Sequence, residues 1–164
     1  MSPAALGGPE GMTHDTAAIA RAIIDSNSYM VLGTADASGL PWASPVWFAT
    51  KGYREFVWVS SPEARHSRNL ADRPQLSIVI FDSTVAPGSG AAVYMSATAE
   101  ELTADELEAG LPVFARGSEA AGLRVWTRED VQPPARHRLY RAVASEHFVL
   151  GERDERVPVS PSRP

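Results

Sequence analysis

The sequence predicts a mainly β domain, a small antiparallel barrel of about six strands with a few helices around it. Three observations lead there. From residue 29 onward, apolar residues recur with a period of two in several separate runs. The first three runs are joined by short turns containing Gly39, Pro41 and Gly52, which favours antiparallel neighbours. There is no GxGxxG or GxxxxGK[ST] loop and no internal repeat of roughly 20–50 residues, which removes the usual nucleotide-binding folds, solenoids and propellers.

Taken in order, Ile19, Ala22 and Ile23 share a face and predict a helix over 16–26, opened by Asp15. "YMVLGTAD" (29–36) reads as a mostly buried strand, "ASGLP" (37–41) as a turn and "ASPVWFAT" (43–50) as a second strand. Pro45 removes a ladder donor, so this strand belongs at an edge or at a bulge. Trp42 and Trp47 are five apart; on an extended chain they face opposite sides, and only one can be core. In "REFVWVS" (54–60), Glu55, Val57 and Val59 face one way while Phe56, Trp58 and Ser60 face the other.

Ser61-Pro62 then signals a helix over 62–72 that stops before Pro74. A strand at 75–82, a loop at 83–90 and a long strand at 91–102 follow. In the last, Val93, Met95, Ala97 and Ala99 alternate with Tyr94, Ser96, Thr98 and Glu100. "TADE" (103–106) is a capping box opening a helix with Leu107, Leu111 and Phe114 on one face, and Pro112 is placed to shorten or kink it. "TRED" (127–130) starts a short helical piece, and 136–150 forms a final strand or pair of strands. The Gly-, Pro- and Ser-rich ends, 1–14 and 156–164, read as disordered tails around one domain over 15–155.

Composition narrows the function. The chain has no cysteine, which excludes disulfides and thiolate chemistry. A net charge of −5 argues against nucleic acid, and the lack of a long apolar run argues against a membrane span, so the expected location is cytoplasmic. His14, His66, His137 and His147 show no HxH or HExxH spacing, so no metal site is expected. No serine sits in a GxSxG elbow, and no general acid or base stands out; Glu100 and Glu101 end a strand and are expected to face solvent.

One stretch does carry chemistry. In "SSPEARHSRNLADRP" (60–74), Arg65, His66 and Arg68 crowd the start of a helix, where the macrodipole is already positive. A phosphate held by free amides, serine hydroxyls and Arg65 explains them. So does a solvated helix whose arginines pair with Glu63 and Asp72.

The order of these pieces over about 25–150 resembles the pyridoxamine 5'-phosphate oxidase-like family, flavin-binding split β-barrels. The resemblance rests on "VLGTADASGLPWASPVWF", "FVWVSSPEARHSRNLADRPQLSIVIFD" and "VYMSATAEEL". It implies a six-stranded antiparallel split β-barrel, a homodimer, and an FMN-dependent oxidoreductase acting on a small-molecule substrate or electron donor. It further implies that Ser60, Arg65 and His66 face the cofactor phosphate, while Val46, Trp47, Phe48 and Ala49 run along the flavin with Val59 beside it. The alternatives it leaves are an F420-dependent reductase, whose longer acidic tail would draw on Arg68, Arg138 and Arg141, and a non-catalytic flavin or haem binder. His66 stands where the family usually has Lys; a His is only partly charged near neutral pH, so phosphate binding would lean on Arg65 and Arg68. Ala92 stands where many oxidases present an amide and the C-terminal Arg-x-His motif is absent, two departures that speak against pyridoxamine phosphate as substrate.

Overall fold

The computed structural model describes residues 10–161, and all its strands join in one antiparallel sheet. The elements are α1 (Glu10–Ser26), β1 (Tyr29–Ala35), β2 (Pro41–Trp47), β3 (Ala49–Lys51), β4 (Glu55–Ser60), α2 (Arg65–Asp72), β5 (Gln75–Phe81), β6 (Ala92–Glu101), α3 (Leu107–Ala120), β7 (Arg138–Leu150) and β8 (Arg156–Val159). A 3-10 turn lies at Arg128–Asp130. Among the described residues no helix is long and apolar enough to cross a membrane.

The sheet order is β2-β1-β5-β6-β7-β4-β3, with β8 added beside β7. Its two ends, β2 and β3, are separated in the chain by Phe48 alone. A flat sheet of that order would place them a full sheet width apart, at nearly 5 Å per strand. The sheet therefore curls until its ends meet, and the barrel is joined at Phe48 by the chain itself. This is the split barrel, with eight strands rather than six. The extra strands come from two places: the expected strand 43–50 divides at Phe48, and residues 156–159 of the expected tail pair with β7. The other expected tail also shortens, because α1 starts at Glu10 rather than 16, while residues 1–9 and 162–164 lie outside the described residues.

The curled face holds the main core. Met30, Leu32, Phe56, Trp58, Ile78, Ile80, Val93 and Met95 pack there, with Ala20 and Ile24 of α1. A second cluster forms on the other face of β4 and β7, where Val57 and Leu139 meet Leu107, Val113 and Phe114 of α3. Both faces of β4 are thus covered, which is why its alternation carries apolar side chains on both sides. Gly117 permits α3 to lie so close: a Cβ there would stand 2.6 Å from the Ala49 Cβ and 3.4 Å from Trp47. Pro112 stays inside α3 without ending it. Pro45 sits in β2 at the sheet edge, opposite Val31, where a missing donor costs no ladder bond.

The helix at the centre of the sequence argument begins later than expected. Residues 61–64 form a turn, and α2 starts at Arg65 with Ala64 as its N-cap. Pro62 is in that turn and is not a first helical residue. Ser61 holds the turn by accepting hydrogen bonds, the Glu63 amide on its Oγ at 3.1 Å and the Ala64 amide on its carbonyl at 3.1 Å.

Candidate functional site

β4 ends at Ser60 beside Arg138 of β7, and the turn brings α2 back across the strand ends. The helix is pinned from below: Asn69 Nδ2 donates to Thr34 Oγ1 at 3.0 Å, and Thr34 Oγ1 donates to the Trp42 carbonyl at 3.2 Å. That fixes which side of α2 points inward. His66, on this side, is buried and lies between two serines. Its Nε2 is 2.8 Å from Ser60 Oγ and its Nδ1 is 3.2 Å from Ser44 Oγ.

Burial holds the His66 imidazole below its ordinary pKa, so it is neutral at pH 7. A neutral ring has one N–H, and one nitrogen must therefore donate while the other accepts. The sequence-level picture of a partly charged His66 is corrected by this burial, which leaves the positive charge to Arg65. The Arg65 guanidinium lies 4.4 Å over the Trp42 ring, and among the described residues it makes no ion pair. The first turn of α2 has neither an acidic residue nor a side-chain cap, so its amides are available to an anion.

Beside this polar corner opens a slot of about 460 Å³, lined by Val46, Trp47, Val59 and Ser60 from the barrel and by His66 from α2. Phe114 and Ser118 of α3, with Trp126 and His137, form its other wall. The aromatic wall is cross-braced: Trp47 meets Phe114 edge-on at 5.0 Å, and Trp126 meets Phe114 at 6.3 Å and His137 at 5.4 Å. Such a chamber suits a flat ring with one anionic end.

Of the eight residues named from sequence, five line the slot. Phe48 packs instead in the main core against Phe56 and Ala49 in the second cluster, because the chain turns inward between β2 and β3. Arg65 is not among the residues that line the slot and lies over Trp42, which lines a separate cleft. Neither Trp42 nor Trp47 is central core: Trp42 is 42% exposed and Trp47 is half-buried against α3. Sequence reasoning missed Ser44, whose pairing with His66 spans 22 positions, and the whole α3 wall. The amphipathic face containing Phe114 was visible, but not what it would cover.

The three arginines offered for a longer acidic tail are paired with carboxylates. Arg68 pairs with Glu63 at 3.5 Å, Arg138 with Glu101 at 3.5 Å, and Arg141 with both Glu100 and Glu106. Glu100 and Glu101 thus serve as partners to arginines as well as facing solvent. Among the described residues no group of acids and histidines has the arrangement of a metal site.

A family model described as pyridoxamine 5'-phosphate oxidase matches residues 17–149. The chain is similar to a heme binding protein from Mycobacterium smegmatis, at 26% identity and a TM-score of 0.69, over 88% of this chain and 57% of that one. It is also similar to HutZ, the heme storage protein from Vibrio cholerae, at 25% identity and a TM-score of 0.63, over 79% of this chain and 90% of that one. An F420 reductase shares the fold at 15% identity and a TM-score of 0.56, over 78% of this chain and 94% of that one. No curated protein matches the sequence.

Proposed function

The chain belongs to the pyridoxamine 5'-phosphate oxidase family, and on that premise we propose that it binds FMN in the aromatic slot and serves as an oxidoreductase. The observation that carries this reading is the junction of an apolar slot with a polar corner: Ser60 and His66 line the same chamber as Trp47 and Phe114. The donor set fits a phosphate-bearing ring. Ser60 offers a hydroxyl, α2 its uncapped amides and Arg65 an unpaired cation. These groups would hold the phosphate, and Val46, Trp47 and Val59 would hold the ring. FMN, when bound, supplies the electron or hydride transfer that no side chain here can perform. The chain's own part is to orient the ring and keep water away from it. Arg68, Arg138 and Arg141 are committed to carboxylates, so the wider basic groove that F420 would need is weakly supported.

Haem is the second reading, favoured by one feature. The exposed His137 imidazole lines the slot, and its contact to Trp126 is the edge of a ring rather than a hydrogen bond. Two relatives at 25–26% identity are named for heme, which supports the same reading. A homodimer is part of the proposal as well, since the exposed Tyr29, Leu40 and Trp42 lie along the β1–β2 edge.

The absorbance spectrum of the purified protein tests the proposal. Flavin bands, with FMN released on denaturation, and bleaching by NAD(P)H are expected. A Soret band favours haem, and protein that stays colourless with added FMN sinks the flavin reading.

A further inference from the structure

We propose that Ser60, His66 and Ser44 form a hydrolytic triad, and that the slot cleaves carboxylic esters with flat or apolar acyl groups. The three residues come from β4, α2 and β2, and only the fold brings them together. Ser60 Oγ is 2.8 Å from His66 Nε2, within reach for a nucleophile and its base. Ser44 Oγ, 3.2 Å from Nδ1, is the third group that orients the ring. With the Nδ1 proton donated to Ser44, Nε2 presents its lone pair to the Ser60 hydroxyl. Burial keeps that lone pair free at neutral pH.

The surroundings match the chemistry. Ser60 and His66 both line the slot, so an ester bound against Trp47 and Phe114 has its carbonyl within reach of Ser60. The uncapped first turn of α2 provides amides for an oxyanion, and Arg65 in that turn adds positive charge beside His66. A tetrahedral intermediate has the shape and charge of a phosphate, so one corner suits both. The inference therefore does not depend on the flavin reading, although the two ligands would exclude each other.

The step balances without a redox partner. Ser60 Oγ bonds to the carbonyl carbon as its proton passes to His66 Nε2. The carbon–alkoxy bond then breaks, and His66 returns the proton to the departing alcohol. Water, deprotonated by His66, attacks the acyl-serine; the acid leaves and Ser60 regains its proton. Ester and water become acid and alcohol.

The test uses full-length protein whose spectrum shows no bound flavin, a fluorophosphonate probe and p-nitrophenyl butyrate. Peptide mapping is expected to find the phosphonyl group on Ser60, and His66→Ala to slow both labelling and ester turnover by at least about a hundredfold. Ser44→Ala is expected to slow them about tenfold, with Ser44→Thr restoring the rate, which a purely structural loss would not do. Added FMN should protect Ser60. Labelling in protein that binds no FMN supports the triad and defeats the flavin reading alone. Wild-type protein that carries no label on Ser60, or Ser60→Ala protein that keeps full ester turnover, overturns the triad.

Discussion

The Arg65 guanidinium rests 4.4 Å above the Trp42 ring, near enough to Asp36 to help lower that carboxyl's pKa but in no ion pair among the described residues. Its charge therefore stays available to an anion, while the indole limits where the side chain can point. Arg65→Ala is expected to weaken FMN binding by about 1.5–3 kcal/mol, the range for a hydrogen bond to a charged group. Trp42→Ala removes only the orienting contact and is expected to cost about 0.5–1 kcal/mol. Titration by flavin fluorescence quenching measures both; an unchanged affinity in Arg65→Ala would place the phosphate elsewhere.

Asn69 carries the only described side-chain link from α2 to the buried Thr34 hydroxyl. Asn69→Ala leaves that hydroxyl with the Trp42 carbonyl alone and frees the helix to shift. A loss of about 1–2 kcal/mol in urea unfolding is expected, with FMN affinity falling in parallel because His66 rides on the same helix. Lower stability with unchanged affinity would separate the helix anchor from the slot.

Gly117 is the contact point of α3 with β3, and an alanine there would press on the Ala49 Cβ. Backbone-borne Ala49 cannot swing aside, so Gly117→Ala is expected to cost about 1–3 kcal/mol by overpacking. Phe114 and Ser118 lie on the same helix and line the slot, so ligand affinity should fall too. Stability equal to wild type would show that α3 is free to move away at little cost.

Acid should destabilise the fold before the carboxylates titrate. Burial lowers the pKa of both His66 and His147 in the folded chain, and His147 Nε2 lies 2.7 Å from the Tyr53 carbonyl. The unfolded chain binds these protons more readily, so stability rises with pH through this range. Their contribution is complete above the ordinary histidine value of about 6.5 and is lost as pH falls through the folded values. Denaturant midpoints at pH 7.5 and 5.5 are expected to show that loss, and His66→Gln with His147→Gln to flatten it.

Much of this was legible in the sequence because it depends on neighbours in the chain. Alternation in 92–101 placed Val93, Met95, Ala97 and Ala99 inward, where they are buried. Half of the expected Thr103–Glu106 capping box forms, with the Glu106 carboxylate accepting from the Thr103 amide at 2.9 Å, but α3 itself starts only at Leu107. Pro45 announced an edge strand because a missing donor has the same meaning in any fold. The Ser61-Pro62 helix start misled, since that pair serves a turn as readily as a helix. The break at Phe48 was hidden because an unbroken apolar run looks the same whether it stays in one strand or crosses between two.

By itself the sequence determined where most of the strands run, their antiparallel sense and the crowding of Arg65 and His66 beside Ser60, since these follow from periodicity and local turn chemistry. Only the tertiary structure decided what those residues do. Curling the sheet until β2 and β3 met at Phe48 brought Ser44 to the far nitrogen of His66 and laid α3 over the slot. The same burial removed the charge from His66 and left Arg65 as the cation, because an imidazole between two neutral hydroxyls pays a desolvation cost for its proton that nothing in a linear sequence reveals.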